Sequence, residues 1–452
     1  MSTLKTDKLY STDRSTGSDE NILLNDDGTT NLKGNTTVTG TCTATTFSGS
    51  GASLTALPAA NLTGALPAIS GASLTGITSS DTLSFRNLII NGGMKIDQRG
   101  DNATNTGGAF GGPDRWKWMA SSDATCNTRQ GGASDIAGFA NQYKVSVGTA
   151  DTSIAAAQHA YLQYNLEGYD VQKIEKGFSS AKQLTLSFWL KLTNVTGVFT
   201  VQLRDNDNTR HCCKQFTVSD ANWNKYTLTF PADTTGKLGD DNGGALSVNF
   251  YWTAGTDYTS GTLASTWASV TTANICPGQT GNFIGSTSNV LELTGVQLEL
   301  GATATDFEYK TYGDELERCK RYYQIFWSGS GGGIATVANW GAAASYGAVR
   351  WEKEMKATPT ISVSDAGHFK QRCASSDRTA GSVTWSNTKK DSSRIGVEGF
   401  SGSTDGQAAW IGTTSSSAKI TLDANVSAGT TGRAAICGTN NAAAQVSFSA
   451  EL

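Results

Sequence analysis

Apolar side chains occupy every second position in several separate runs of this chain, and few folds can use that pattern. Leu184, Leu186, Phe188, Leu190 and Leu192 share one side of an extended chain, while Thr185, Ser187, Trp189 and Lys191 share the other. Ala160, Leu162, Tyr164 and Leu166 repeat the beat, as do Leu246, Val248, Phe250 and Trp252. Phe199, Val201 and Leu203 carry it into the turn cluster Asp205–Asn208. A period of two bounded by turn residues predicts half-buried strands. Many such strands in succession predict an all-β chain built around a two-sheet antiparallel sandwich of jelly-roll type. Trp116 and Trp118, on one side of a strand beginning Asp114, belong to its core.

At 452 residues the chain exceeds one ordinary core, and about 150 residues per domain suggests roughly three segments. Charged residues are 16% of the chain, against about 25% in average globular proteins. The surface is therefore expected to stay wet through hydroxyls and amides. A net charge of −4 without a basic run excludes a nucleic-acid footprint. The first residues, MSTLKTDKLYSTDR, have no apolar core of a leader, and no apolar run is long enough to span a bilayer, so neither secretion nor membrane insertion is expected. The eight cysteines (Cys42, Cys126, Cys212, Cys213, Cys276, Cys319, Cys373 and Cys437) follow no repeated spacing, the pattern of reduced thiols made in a cytoplasm.

From Gly51 the sequence repeats as GASLTALPAA, NLTGALPAIS, GASLTGITSS. Leu54, Leu57, Leu62, Leu66 and Leu74 fit neither a heptad nor a long strand, and one chain cannot bury them. Three identical chains wound about a threefold axis can, which makes residues 49–83 a trimeric shaft. A flexible Gly/Ser linker is the other reading. Residues 1–48 hold too little apolar surface for a core of their own and are expected to order against a partner.

Leu291–Gln324 reads as a closing strand followed by a short helix. Leu291 and Leu293 share a side with Val296, Leu298 and Leu300 only if one residue is inserted near Thr294–Gly295, which predicts a β-bulge. Leu316, Cys319 and Tyr323 then recur at helical spacing behind a Thr311/Asp314 cap, with acids early and bases late. The helix is expected to be a hinge into a second, smaller β-sandwich over 325–452.

LTGVQLELG, DFEYKTYGDEL and the cysteine before RYYQ resemble the end of the central domain in tail-fibre proteins of tailed bacteriophages, marine and cyanobacterial ones especially. Arg86–Gly100 with Asp114–Trp116 resembles its start, and Val349–Ser364 resembles terminal domains of the same fibres. LTLSFWLKL and WNKYTLTF are similar to strands of jelly-roll carbohydrate-binding modules. The resemblance implies an elongated homotrimeric fibre of the virion, assembled inside the host. Its parts would be an attachment segment for a tail or baseplate protein (1–48), the shaft (49–83), a carbohydrate-binding-like jelly roll (84–310), a connecting helix (311–324) and a distal receptor-binding sandwich (325–452). Its ligand would be a host cell-surface polysaccharide or lipopolysaccharide. The alternatives are a structural tail adaptor or capsid decoration without a ligand, and a depolymerase tailspike.

Motifs for catalysis are missing. His159, His211 and His368 accompany no G-x-S-x-G, H-E-x-x-H or Walker pattern, and the chain is read as a non-enzyme. His211-Cys212-Cys213 offers zinc-type ligands, but adjacent strand residues point to opposite faces, so one buried and one exposed cysteine is the plainer reading. Asp205 and Asp207, and Asp240 and Asp241, offer calcium-type oxygens or simply form turns; jelly-roll carbohydrate modules often hold a structural calcium. The Arg99-Gly100-Asp101 triplet is coincidence. Among the eleven tryptophans, Trp189, Trp267, Trp340, Trp351, Trp385 and Trp410 stand in polar or small-residue surroundings. Their flat apolar faces suit sugar rings and make them the candidate ligand-binding set.

Overall fold

The computed structural model describes residues 8–10, 20–24, 30–32, 39, 41, 43, 85–132, 135–329, 333–341, 344–350, 352–364, 369–373, 376–386, 392–401, 434–439 and 445–451. Two compact units divide the chain, Met1–Ile77 and Thr78–Leu452. In the first, strands β1 (Lys8–Tyr10), β2 (Glu20–Leu24) and β3 (Thr30–Leu32) form an antiparallel sheet in that order, with the apolar stretch Ile22–Leu24 inside the middle strand. The leucine repeat lies outside the described residues.

The second unit opens with β4 (Asn102–Asn105), β5 (Ala109–Phe110), β6 (Trp116–Ser121), β7 (Thr125–Gly132), β8 (Asn141–Thr149) and β9 (His159–Glu167). It continues through β10 (Leu184–Thr193), β11 (Gly197–Asp205), β12 (Arg210–Val218), β13 (Asn224–Phe230), β14 (Gly244–Ala254), β15 (Ala268–Ser269) and β16 (Val290–Leu300). A six-stranded sheet runs β13-β10-β16-β8-β7-β4, and a seven-stranded sheet runs β15-β12-β11-β14-β9-β6-β5. The antiparallel pairs nest: β11 with β12, β10 with β13, β9 with β14, and β8 with β16. A long hairpin rolled so that its successive pairs fall alternately in two sheets is a jelly roll. The expected fold of this segment is therefore observed, and it follows from strand pairing alone.

The alternating apolar residues meet between the sheets. Leu186, Phe188 and Leu192 from β10 face Val201 and Leu203 from β11 and Val248 and Phe250 from β14, all fully buried. Trp116, Trp118 and Trp252 are also 0% exposed, and each buried side chain of this size is worth about 1.5–3 kcal/mol. Phe188 meets Phe250 edge-on at 5.1 Å. The bulge stands where the phase break placed it: the β10–β16 register shifts between Ser187 and Trp189, and Gly295 opposite adopts φ +60°. A Cβ there would approach Phe139 Cζ to 2.8 Å, so position and conformation both require glycine.

Helices are few and short: α1 (Gly168–Val171), α2 (Thr256–Thr259) and α3 (Tyr312–Lys320) among the described residues. None of them is long and apolar enough to cross a membrane. Thr311 caps α3, accepting from the Asp314 amide at 3.2 Å and donating to Asp314 Oδ2 at 2.7 Å. Cys319 and Leu316 turn into the jelly-roll core.

The joint after α3 is closely tied to the jelly roll by side-chain pairs. Glu167, at the end of β9, accepts from Arg321 Nε at 2.9 Å and from Tyr322 Oη at 2.7 Å. Arg115 stacks on the Tyr322 ring at 3.4 Å and pairs with Glu451, which also pairs with Arg99 at 2.9 Å. Charge periodicity placed the helix but could not show these partners, which come from distant parts of the chain.

Beyond it come β17 (Tyr323–Ser328), β18 (Gly333–Gly341), β19 (Ala344–Arg350), β20 (Thr360–Val363), β21 (Phe369–Cys373), β22 (Ser376–Ser386), β23 (Ser392–Ser401), β24 (Ala434–Thr439) and β25 (Gln445–Ser449). One sheet runs β17-β25-β20, and a closed barrel runs β18-β19-β23-β22-β21-β24. This corrects the expected second sandwich. Inside/outside alternation is the same for both architectures, and only the closing β18–β24 pair, which removes the sheet's edges, distinguishes them. The expected strand at Ala418–Leu422 lies outside the described residues.

Candidate functional site

The off-beat residues of the core strands converge on the outer face of the seven-stranded sheet. Across β9, β14 and β11 they form three rows perpendicular to the strands. Tyr161 faces Tyr251 and Tyr251 faces Thr200; Gln163 faces Asn249 and Asn249 faces Gln202; Asn165 faces Ser247 and Ser247 faces Arg204. Strands lie about 4.8 Å apart, so each row is a close ladder of side chains. The middle row is a hydrogen-bonded chain: Gln163 Nε2 donates to Asn249 Oδ1 at 3.3 Å, and Asn249 Nδ2 to Gln202 Oε1 at 2.9 Å. It ends with Gln202 Nε2 at 3.0 Å from His211 Nδ1. A second branch runs from Ser247 Oγ to Asn165 Oδ1 at 2.6 Å and from Asn165 to Gln163.

Burial is graded along this face. Gln202, Asn249 and His211 are buried, whereas Tyr161, Gln163, Asn165 and Arg204 are half-buried. Buried amides are tolerable because each satisfies its neighbour. The chain of bonds fixes the orientation of the half-buried amides above it before any ligand arrives. His211 Nε2 has no hydrogen-bond partner among the described residues. Burial, and then the neighbouring Arg204, push its pKa down, so the imidazole is neutral near pH 7.

Aromatic rings border the amides. Tyr161 stacks on Tyr251 at 4.8 Å and on His159 at 5.4 Å, and Tyr258 Oη lies 2.8 Å from His159 Nδ1. Residues of the 255–276 loop, among them Ala264, Ile275 and Cys276, cover Tyr251 and Cys213 on one side of the face. Its other side remains accessible at Tyr161, Gln163 and Arg204.

Of the tryptophan set, Trp189 and Trp267 have described side chains. Trp189 is half-buried on the opposite, six-stranded sheet, beside Gly295. Trp267 donates from its indole N–H to Pro231 O at 2.8 Å and lies under the Lys176 ammonium at 5.2 Å. Trp340 lies in β18 and Trp385 in β22; their side chains, with Trp351 and Trp410, are outside the described residues. Cys212 points into the core and Cys213 into the loop cluster, both fully buried, which corrects the expected exposed cysteine. Burial pushes both thiols up, Cys212 to about 11. Thiolates for zinc are therefore disfavoured, and no metal-sized group of ligands occurs among the described residues. Among the described residues, Cys126, Cys212, Cys213, Cys276 and Cys319 are free thiols.

Asp205 does not fit calcium. The Lys176 ammonium donates to its Oδ2 and to Thr235 O at 2.7 Å and lies 3.0 Å from Asp233, while Asp205 Oδ1 accepts from the Asn208 amide at 2.9 Å. Asp207 and Asp241 accept from the Gly239 and Gly243 amides at 2.8 and 2.7 Å, the behaviour of turn formers, and Asp240 is exposed. Arg99 of the Arg-Gly-Asp triplet is spent on Glu451 and on the Tyr323 ring at 3.7 Å. The amide ladder itself was missed. Its signal was present, because Tyr161, Gln163, Asn165, Ser247, Asn249 and Tyr251 are the polar and aromatic off-beats of strands whose apolar beats were read as core.

No family model matches the sequence, and no curated protein matches it. Among solved structures, the enzymatically active domain of bacteriophage CBA120 tailspike protein 4 overlaps 47% of this chain at 12% identity and a TM-score of 0.24. The overlap spans only 21% of that tailspike chain. A family 11 carbohydrate-binding module from Clostridium thermocellum, in complex with a mixed-linked tetrasaccharide, overlaps 46% of this chain and 98% of its own at 14% identity and a TM-score of 0.23. A xylan-binding domain from Paenibacillus barcinonensis overlaps 46% and 97% at 14% identity and a TM-score of 0.22. Scores of that size leave the fold resting on the nested strand pairs.

Proposed function

We propose that this chain is a tail-fibre protein of a tailed bacteriophage that adsorbs to host surface glycans, with the amide ladder of the jelly roll as its saccharide-binding face. The observation that carries the glycan reading is the Gln163–Asn249–Gln202–His211 chain beside the Tyr161–Tyr251 stack. Sugar hydroxyls both donate and accept, and amides held in one orientation answer both demands, while an adjacent ring takes the C–H face. Orientation fixed in advance lowers the ordering cost on binding.

The fibre reading is supported by how the two resembling segments meet. Leu88 N donates to Leu298 O at 2.9 Å, Asn87 Nδ2 to Val296 O at 3.0 Å, and Lys95 Nζ to Lys310 O at 3.0 Å. Segments some two hundred residues apart thus close one domain. The leucine repeat supports a homotrimer, in which weak sites act together: a millimolar site is worth only about −4 kcal/mol, and linking several raises residence through effective concentration. The full chain is expected to sediment as a trimer, and a monomer at micromolar concentration would remove the shaft from this reading.

Labelled protein is expected to bind host cells and to lose them after periodate oxidation of their glycans. Tyr161→Ala with Gln163→Ala is expected to weaken binding to purified host polysaccharide at least about tenfold, or about 1.4 kcal/mol, at unchanged melting temperature. Undiminished binding by that double variant would reject this face as the site.

A further inference from the structure

A concave site, sharing no residue with the amide ladder, lies where the start of the jelly roll meets α1 and α3. The cavity measures about 470 Å³ and is lined by Phe85, Tyr169, Asp170, Lys173, Arg318 and Lys353, among others. Its size falls in the range of small-ligand sites, roughly 300–1,000 Å³. Phe85 and Tyr169 are 61% and 56% exposed, so two large rings stand in solvent at one concavity. Such rings are usually spent on packing, and here they are left over.

The charges around them do not cancel. Glu317 shares Lys320 with Glu352, and Arg321 pairs with Glu167. Lys173 donates to Phe85 O, and Arg318 lies over the Phe85 ring at 5.1 Å. Arg318 and Lys353 make no side-chain hydrogen bond or ion pair with any described residue. Lys173 feels Glu308 as well as Asp170, so the lining cations left without an ion pair among the described residues are Arg318 and Lys353, on a chain whose net charge is −4. A guanidinium backed by an aromatic ring presents its fork to a planar carboxylate. Asp170 accepts from hydroxyls and repels a second negative charge, which favours a monoanionic carboxylate over a phosphate dianion.

We infer that this groove binds an oligosaccharide carrying carboxylates, of the uronic-acid class, with Arg318 on the acid and Phe85 and Tyr169 against the rings. The inference goes beyond the ladder, which needs no charge on its ligand. The test is calorimetric titration of the full chain with tetragalacturonate and with its carboxyl-reduced neutral counterpart, at low and high salt. Tetragalacturonate is expected to bind and the neutral sugar to bind at least tenfold more weakly, with the difference shrinking at high salt. Arg318→Ala and Tyr169→Ala are each expected to weaken the acid at least tenfold, and Arg318→Lys to fall between Arg318→Ala and the wild type. Asp170→Asn is expected to tighten it, a gain that misfolding cannot imitate. The Tyr161→Ala, Gln163→Ala variant is expected to bind the acid normally, which separates this site from the ladder. Absence of binding, equal affinity for both sugars, indifference to Arg318→Ala, or loss in the ladder variant would each overturn the assignment.

Discussion

Glu451→Ala is expected to destabilise the Thr78–Leu452 unit by about 3–5 kcal/mol, as much as a large cavity in the core. Glu451 lies between two arginines, Arg115 and Arg99, whose side chains are 2% and 11% exposed. Arg115 also donates to Asn165 O at 2.7 Å and packs between the Tyr164 and Tyr322 rings, so it cannot swing out to water when its partner goes. Removing the carboxylate leaves a buried guanidinium without a counter-charge, and that uncompensated desolvation sets the size of the effect. Arg115→Met with Glu451→Leu is expected to recover part of the loss, because two apolar groups need no partner, while Arg99 keeps only Asp114 at 3.6 Å. Urea unfolding at pH 7 measures both. A loss under 1 kcal/mol for Glu451→Ala, the range of an exposed pair, would show that the joint is open to water.

What could be read from the sequence follows from how far apart the interacting residues are. Leu186, Phe188 and Leu190 declare their face by period alone, Gly295 declares its bulge by breaking the period, and Thr311 declares its cap three residues ahead of Asp314. Each is a local signal. Glu451 and Arg115 are 336 positions apart, and Arg321 and Glu167 are 154 apart. No spacing rule connects such pairs, so the sequence shows the helix and not its partners. The ladder failed differently. Gln163, Asn249 and Gln202 sit on separate strands, and only the pairing of β9, β14 and β11 makes them neighbours. Tryptophans are conspicuous in the sequence, yet Trp116, Trp118 and Trp252 show that in this chain tryptophan also serves the core.

The second large effect concerns the same joint and carries a pH signature. Glu167 is buried, and its pKa is moved by several opposed influences: burial raises it, while hydrogen bonds from Arg321 and Tyr322 and the Arg321 charge lower it, with a net downward shift. A carboxylate whose folded pKa lies below its unfolded value contributes stability that is present above the ordinary value near 4.5 and is lost as pH falls through the folded value. Glu167→Gln is expected to cost about 3 kcal/mol at pH 7, the loss of a charged partner to three hydrogen bonds, discounted for the partial exposure of Arg321. The cost should shrink steadily below pH 4.5, because the wild-type side chain then becomes neutral as well. Asp114 acts in the opposite direction and in another window. Burial raises it to about 7 against the pull of Arg99, so its contribution to stability declines as pH rises from its ordinary value near 3.8 towards 7. Subtracting the mutant from the wild type at each pH removes that common background. A difference that stays constant between pH 7 and pH 3.5 would mean that Glu167 is not held as an ion, and the joint would then be tied by the Arg115–Glu451–Arg99 cluster alone.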